Sequence, residues 1–212
     1  MTANRQQLII FARAPITGQC KTRLHPLLGQ ATSTQFYKDL LTHCIRNASQ
    51  LNSTDITLYT TPDIDHPFLR QLAFQYEFTL QPQLGNDIGE RMHHAIEHSL
   101  RSYERTVLIG SDCLELNAKH LQHAFNALNH HDMVIGPATD GGYVLIGGNR
   151  ISADVFRDTV WSTEHVLQQC IKNMETLNYQ YTLLDALNDI DTPDDFMRNL
   201  AHIKQQLGQQ YI

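Results

Sequence analysis

Short apolar runs and amphipathic stretches alternate along almost the whole of this chain, and few folds accept that pattern. Gln7 to Arg13 reads as a first strand, apolar enough to be buried on both faces. Between Thr34 and Leu51, Phe36, Leu40, Leu41, Cys44, Ile45 and Ala48 recur at helical spacing. Further strand-like segments lie near Asp55 to Thr61, Glu77 to Gln81, Thr106 to Gly110, Met133 to Gly136 and Gln180 to Leu184. Helical patterns separate them near His66 to Gln75, Ile88 to Ser102, Lys119 to Leu128 and Glu164 to Leu177. Tyr143 to Ile146, flanked by glycines, reads as another strand that can run antiparallel. Thr192 is placed to cap a last helix, with Pro193 at its first position and Asp194 and Asp195 in its first turn. The alternation predicts an α/β fold, a three-layer α/β/α sandwich whose mostly parallel, Rossmann-like sheet is covered by helices on both faces. No linker is visible, so one domain is expected over residues 1–212.

At 212 residues the chain has ample length for a core, and its 42% hydrophobic and 18% charged content is that of a globular protein. A net charge of −6 argues against a nucleic-acid partner, which usually meets a basic face. Met1 to Gln7 is polar, and the apolar run after it is too short for a signal peptide or a membrane span. Cys20, Cys44, Cys113 and Cys170 show no paired spacing, which favours reduced thiols in a cytoplasmic protein.

The charges are unevenly spread. Arg5, Arg13, Lys21, Arg23 and Lys38 precede the first acid, Asp39, while Asp185, Asp189, Asp191, Asp194 and Asp195 crowd near the C-terminus. Arg13, Lys21 and Arg23 leave the end of a buried strand with no carboxylate beside them in sequence, and such a cluster is the expected anion site of an open α/β sheet. A phosphate group, and hence a nucleotide or nucleotide conjugate, is the anion expected there. The Lys21-Thr22 pair is not a P-loop: Cys20 replaces the required glycine, and Pro26 would disrupt the first turns of a following helix. Asp112, just beyond the strand ending at Gly110, is placed to hold Mg²⁺ or Mn²⁺, with an N-cap or loop role as the alternative. Asp189 and Asp191 face one side if their segment is extended, and Asp191 with Asp112 would make a two-carboxylate metal site. Asp140, before Gly141 and Gly142, serves either a tight turn or a site as metal ligand or general base, the glycines allowing close approach to a ligand. Arg91 reaches a phosphate or pairs with Asp87, and Trp161 stacks on a ligand or anchors a core. Glu90, His94 and His98 share a helical face, but without HExxH they do not read as a zinc site.

Taken together, Phe11-Ala12-Arg13-Ala14-Pro15 with Gly18 and Lys21-Thr22-Arg23-Leu24, then Gly110-Ser111-Asp112-Cys113, then Gly136-Pro137 with Asp140-Gly141-Gly142-Tyr143, form an ordered set. Trp161-Ser162-Thr163 and Asp189-Ile190-Asp191-Thr192-Pro193-Asp194-Asp195 complete it. The set resembles the bacterial DUF2064 proteins. That resemblance implies a GT-A-like nucleotide-diphospho-sugar transferase fold, more distantly similar to guanylyl- and cytidylyltransferases. It also implies phosphate contacts from Arg13, Lys21 and Arg23 and a Mg²⁺ or Mn²⁺ ion on Asp112 and Asp191; Gly141, Gly142, Tyr143 and Trp161 are expected to meet the acceptor or sugar. Where GT-A enzymes often show a DxD pair, this chain has Ser111 before Asp112 and Cys113 after it, and Leu114 replaces a proline common after that cysteine. The expected function is metal-dependent glycosyl transfer from a nucleotide-diphosphate sugar to a small-molecule acceptor, with Asp112 and Asp140 catalytic. The alternatives are a nucleotidyltransferase acting on an NTP and a small phosphorylated acceptor, and a nucleotide-binding module without chemistry. No nucleic-acid or membrane partner is expected, and a homo-oligomer is compatible with these features.

Overall fold

The computed structural model describes residues 6–211. Seven strands form one sheet: β1 (Gln6–Arg13), β2 (Thr54–Thr61), β3 (Thr79–Pro82), β4 (Arg105–Gly110), β5 (Met133–Pro137), β6 (Tyr143–Gly148) and β7 (Tyr181–Leu183). Their spatial order is β3-β2-β1-β4-β6-β5-β7. Pairing is parallel except at β6, which runs antiparallel between β4 and β5. The sheet therefore ends β1, β4 and β5 on one edge and starts β6 from that same edge, so the loops after β1 and β4 and the turn joining β5 to β6 converge there.

The helices are α1 (His25–Ala48), α2 (Pro67–Tyr76), α3 (Ile88–Leu100), α4 (Ala118–Ala127), α5 (Val166–Thr176), α6 (Pro193–Arg198) and α7 (Leu200–Leu207). Their starts follow from local chemistry. Asp87 caps α3 by accepting from the Glu90 amide at 2.8 Å, and among the described residues it forms no ion pair with Arg91, whose Nε turns to the Gly85 carbonyl. Asn117 and His120 form a reciprocal box at the head of α4, which leaves Asp112 free of any capping role there. Thr192 and Asp195 make the same kind of box ahead of α6. Pro26 does not disrupt its helix as expected. It sits in the first turn of α1, where no backbone bond is lost, and the irregularity falls instead at Gly29, whose φ of 74° kinks the helix.

Side chains of successive strand residues point to opposite faces, and the core divides accordingly. Leu8, Ile10, Leu58, Val107, Ile109 and Val134 pack on one face with Leu41 and Ile45 of α1, Leu69 of α2 and Leu121 and Phe125 of α4. Ile9, Phe11, Tyr59, Leu108, Ile135 and Ile146 pack on the other with Met92 and Ile96 of α3 and Cys170 and Met174 of α5. The three layers are thus filled from both sides of one sheet. A smaller apolar cluster lies beyond the strand ends: Leu24, Phe36, Leu40, Leu114, Ile190, Phe196, Ile203 and Tyr211. Leu24 adjoins Arg23, Leu114 follows Asp112 by two residues, and Ile190 adjoins Asp191, so this cluster seats three loops of the site from beneath.

Candidate functional site

The loop after β1 brings Lys21 back under the sheet edge. Lys21 adopts left-handed backbone angles (φ 48°, ψ 46°), which turn the chain into the short 3-10 helix Thr22–Leu24. Its side chain is 4% exposed, and its Nζ donates to Asp112 Oδ2 at 3.0 Å and to Asp191 Oδ1 at 3.5 Å. Arg23 binds the other oxygen of Asp191, with Nη1 to Oδ2 at 2.8 Å. The expectation of unpaired cations after the first strand is therefore corrected for these two. Their partners are 91 and 168 residues away in sequence, brought in by the sheet rather than by neighbouring residues. Burial alone would push the Lys21 ammonium towards neutrality, but Asp112 and Asp191 outweigh it and its pKa is raised.

Asp112 and Asp191, expected to meet, do share one point in space. Asp189 joins them electrostatically: burial first, then the negative charges of Asp112 and Asp140, push its carboxyl up to about 6. Among the described residues no group of three or more His, Cys, Asp or Glu side chains is arranged to hold a metal. Two carboxylates do suffice for Mg²⁺ when phosphate oxygens complete its shell. Asp112 and Asp191 offer hard oxygens, 38% exposed, converging on a position held by a cation, and so the donor set fits.

Two cavities flank this pair. The first, about 380 Å³, is bounded by Arg13, Gln19, Cys20, Lys21, Tyr37, Gln83, Arg91 and Asp112. Arg13 is exposed and Arg91 half-buried; neither takes part in the ion pairs among the described residues, and the Arg91 Nε donates to the Gly85 carbonyl at 3.0 Å. Cys20 is buried and donates its thiol to the Ala14 carbonyl; burial raises its pKa, so it stands as a neutral thiol. Tyr37 was not foreseen. Its buried hydroxyl accepts from the Arg13 amide at 2.7 Å and lies 3.3 Å from Ser111 Oγ, tying the ends of β1 and β4 together. Gln83 works alike, donating to the carbonyls of Ala12 and Tyr59 at 3.0 Å each.

The second cavity, about 420 Å³, is lined by Asp140, Gly142, Tyr143, Trp161 and Glu164, with Met92 and Leu108 on its floor. Phe11, Ile88, Gly110 and Asp191 border both cavities. Asp140 makes the turn: its Oδ1 accepts from the Gly142 amide at 2.9 Å, and its exposed carboxylate also lines the cavity. Gly141 has φ 92°, and a Cβ there would stand 2.2 Å from the Glu164 carbonyl oxygen. The close approach expected of this glycine is thus to the Glu164 backbone, not to a ligand. Trp161 fills both of its expected roles in part. It packs on Phe156 with ring centroids 6.3 Å apart and against Gly89, where a Cβ would meet its ring at 2.5 Å, while lining the cavity.

An open sheet of this strand order, with a basic cavity and an apolar one side by side at the strand ends, defines a Rossmann-like α/β protein of the GT-A type, the fold of glycosyl- and nucleotidyltransferases. The chain belongs to the family of uncharacterized proteins conserved in bacteria (DUF2064), which it matches over residues 44–163. A crystal structure of a candidate nucleotide-diphospho-sugar transferase from Desulfovibrio desulfuricans G20 is 30% identical, with TM-score 0.85 over 94% of this chain and 87% of that one. A cytidylyltransferase from Leptospira borgpetersenii serovar Hardjo-bovis shares the fold at 13% identity, with TM-score 0.62 over 99% of this chain and 90% of that one. So does the glucosyl-3-phosphoglycerate synthase of Mycobacterium tuberculosis, solved with Mn²⁺, UDP and glucosyl-3-phosphoglycerate, at 8% identity and TM-score 0.54 over 96% of this chain and 80% of that one. No curated protein matches the chain. No helix among the described residues is long and apolar enough to cross a membrane.

Proposed function

We propose that the protein is a metal-dependent transferase that takes a nucleotide-diphosphate sugar and passes its glycosyl group to a small-molecule acceptor. The observation that carries this reading is the pair of adjoining cavities with Asp191 on their common border, one basic and one aromatic. In the basic cavity Arg13, Lys21 and Arg91 neutralise the phosphates of the donor, while Arg23, which lines the neighbouring cavity, holds Asp191 on their common border. Asp112 and Asp191 would hold Mg²⁺ or Mn²⁺, which supplies charge neutralisation to the leaving diphosphate. A protein of the same fold solved with Mn²⁺ and UDP supports the use of a divalent metal with this fold. Once phosphates enter, they give Lys21 a second set of anionic partners, so the ammonium can serve donor and carboxylates by turns.

On the other side, Gly142, Tyr143 and Trp161 shape the wall against which sugar or acceptor rests, and Asp140 is the base for an acceptor hydroxyl. Its carboxylate uses one oxygen in the turn, which orients the other. One domain carries both halves, and the four free, buried thiols support a cytoplasmic place for it.

A second reading, nucleotidyl transfer from an NTP, is favoured by the basic cavity itself, which suits a more highly charged triphosphate, and by cytidylyltransferases of the same fold. Product analysis separates the two. Release of free nucleoside diphosphate supports glycosyl transfer, and pyrophosphate supports the alternative. Replacing Asp112 with Asn is expected to lower turnover by about 10²-fold or more while leaving the circular-dichroism spectrum unchanged; retained turnover refutes its role. Nucleotide binding with no turnover over a broad acceptor set points instead to a binding module.

A further inference from the structure

We propose that the Trp161 cavity selects an acceptor that carries no anionic group: a hydroxyl-bearing molecule, neutral or cationic, built on an apolar body. The inference rests on the transferase reading for its role as acceptor site, but the charge selection itself rests on the lining.

That lining divides by chemistry. Phe11, Met92, Leu108, Tyr143 and Trp161 supply an apolar and aromatic floor and wall. The ionisable groups around it are Asp140, Glu164 and Asp191 against a single cation, Arg23. Arg23 is already committed, with Nη1 2.8 Å from Asp191 Oδ2. Arg13, Lys21 and Arg91 line only the neighbouring basic cavity. Glu164 is largely exposed, and among the described residues its carboxylate's one ion pair is with His165, at 3.8 Å, a pair that requires a protonated imidazole. The mouth is therefore net acidic. With Asp191 paired to Arg23, the acidic excess rests on Asp140 and Glu164, which lie outside the proposed metal pair.

The two halves of the cleft are thus opposite in sign, and the sign sorts ligands. A phosphorylated acceptor would bring a dianion among carboxylates, and like charges placed together are a strong bar to a wrong partner. An ammonium is drawn to the same groups and to the faces of Trp161 and Tyr143. A neutral polyol or alcohol gains hydrogen bonds to Asp140 and Glu164, which as carboxylates only accept and so demand a donor. The Ser162 and Thr163 side chains add further polar contact at the rim. A volume of about 420 Å³ lies within the range of small-molecule sites.

Trp161 is the only tryptophan in the chain, so its emission reports this cavity directly. The test titrates the protein at pH 7.5 with three probes sharing one apolar body: 2-phenylethanol, phenethylamine and phenethyl phosphate. The alcohol and the amine are expected to shift Trp161 emission saturably, with the phosphate at least tenfold weaker. Replacing Glu164 with Gln is expected to cut the advantage of amine over alcohol by threefold or more. A phosphate ester that binds as tightly as the alcohol, and still does so in an Arg13→Gln/Arg91→Gln variant, overturns the proposal. If its binding vanishes in that variant, it was held in the basic cavity and the proposal stands. No emission change with any probe also overturns it. Inorganic pyrophosphate binding, measured by calorimetry in the same proteins, tests the transferase reading separately: its failure leaves a charge-selective cavity without a donor site.

Discussion

Replacing Lys21 with Met keeps a side chain of similar length and removes only the buried ammonium. Asp112 and Asp191 then face one another without the cation that lies 3.0 Å from one and 3.5 Å from the other. Removing one member of a fully buried pair costs about 3–5 kcal/mol. Here the carboxylates are 38% exposed and water relieves part of the repulsion, so about 2 kcal/mol is the expected loss. For a chain of this size that lowers Tm by about 4–8 °C. The sign with pH is fixed by the direction of the shift. A lysine whose folded pKa is raised contributes fully below its ordinary value of 10.5 and loses that contribution only as pH rises through the folded value. The loss in the variant is therefore constant across the neutral range. Calorimetric melting with and without Mn²⁺ supplies the second, opposite reading. The two carboxylates, freed of the ammonium, take Mn²⁺ more tightly, so the metal raises the variant's Tm by mass action more than the wild type's. A variant that melts with the wild type, or one on which Mn²⁺ acts no differently, refutes the reasoning.

Three further substitutions probe the support of the site. Gly141→Ala forces a Cβ to within 2.2 Å of the Glu164 carbonyl at φ 92°, and a loss of about 3 kcal/mol is expected by urea denaturation; wild-type stability would show that the Glu164 segment yields freely. Phe196→Ala empties a side chain 2% exposed that packs edge-on to Phe36 at 5.2 Å, for a loss of about 3–5 kcal/mol, which the same urea titration reads. His43 is buried, and burial followed by the Arg46 charge lowers its pKa below the ordinary 6.5. The unfolded chain then binds this proton more readily, so the stability His43 contributes is full above pH 6.5 and lost as pH falls through the folded value. His43→Gln is expected to flatten the rise of stability between pH 5 and 7 by no more than about 1.4 kcal/mol per pH unit, measured by denaturation at each pH.

The strands were legible because those buried on both faces read as continuous apolar runs, and Thr106 to Gly110 and Met133 to Gly136 were placed to within a residue. β6 was legible as a strand from its flanking glycines, but its antiparallel direction was one option of two until the pairing with β4 and β5 was known. Pro26 misled because its effect depends on whether it falls inside a helix or in its first turn, and that position was not visible locally. Arg13, Lys21, Asp112, Asp140, Asp191 and Trp161 were singled out from residue type and place, and the structure sets them around the two adjoining cavities. The meeting of Asp112 with Asp191 was expected, but the ion pairs that Lys21 and Arg23 make with them were not. Lys21 and Asp191 lie 170 positions apart, and only the adjacency of β1 and β4 together with the Ile190 contact to the Leu24 cluster brings them together. Tyr37 and Gln83 left no signal, since a helical tyrosine and a loop glutamine look like any others until their partners are known. Glu164 was equally silent: its backbone lies against Gly141 and it lines the cavity, and neither contact leaves a local sequence signal.

The central claim is that the cavity bounded by Arg13, Lys21 and Arg91 holds the diphosphate of a nucleotide beside Asp112 and Asp191. The most direct measurement is calorimetric titration with a panel of nucleoside diphosphates in the presence of Mn²⁺, on the wild type and on Arg13→Gln/Arg91→Gln. The account predicts one-to-one binding of at least one member, weakened about tenfold or more in the variant, since charge-assisted contacts to phosphate contribute over 1.4 kcal/mol in sum. Absence of binding by every nucleotide, or binding indifferent to the loss of both arginines, would contradict it.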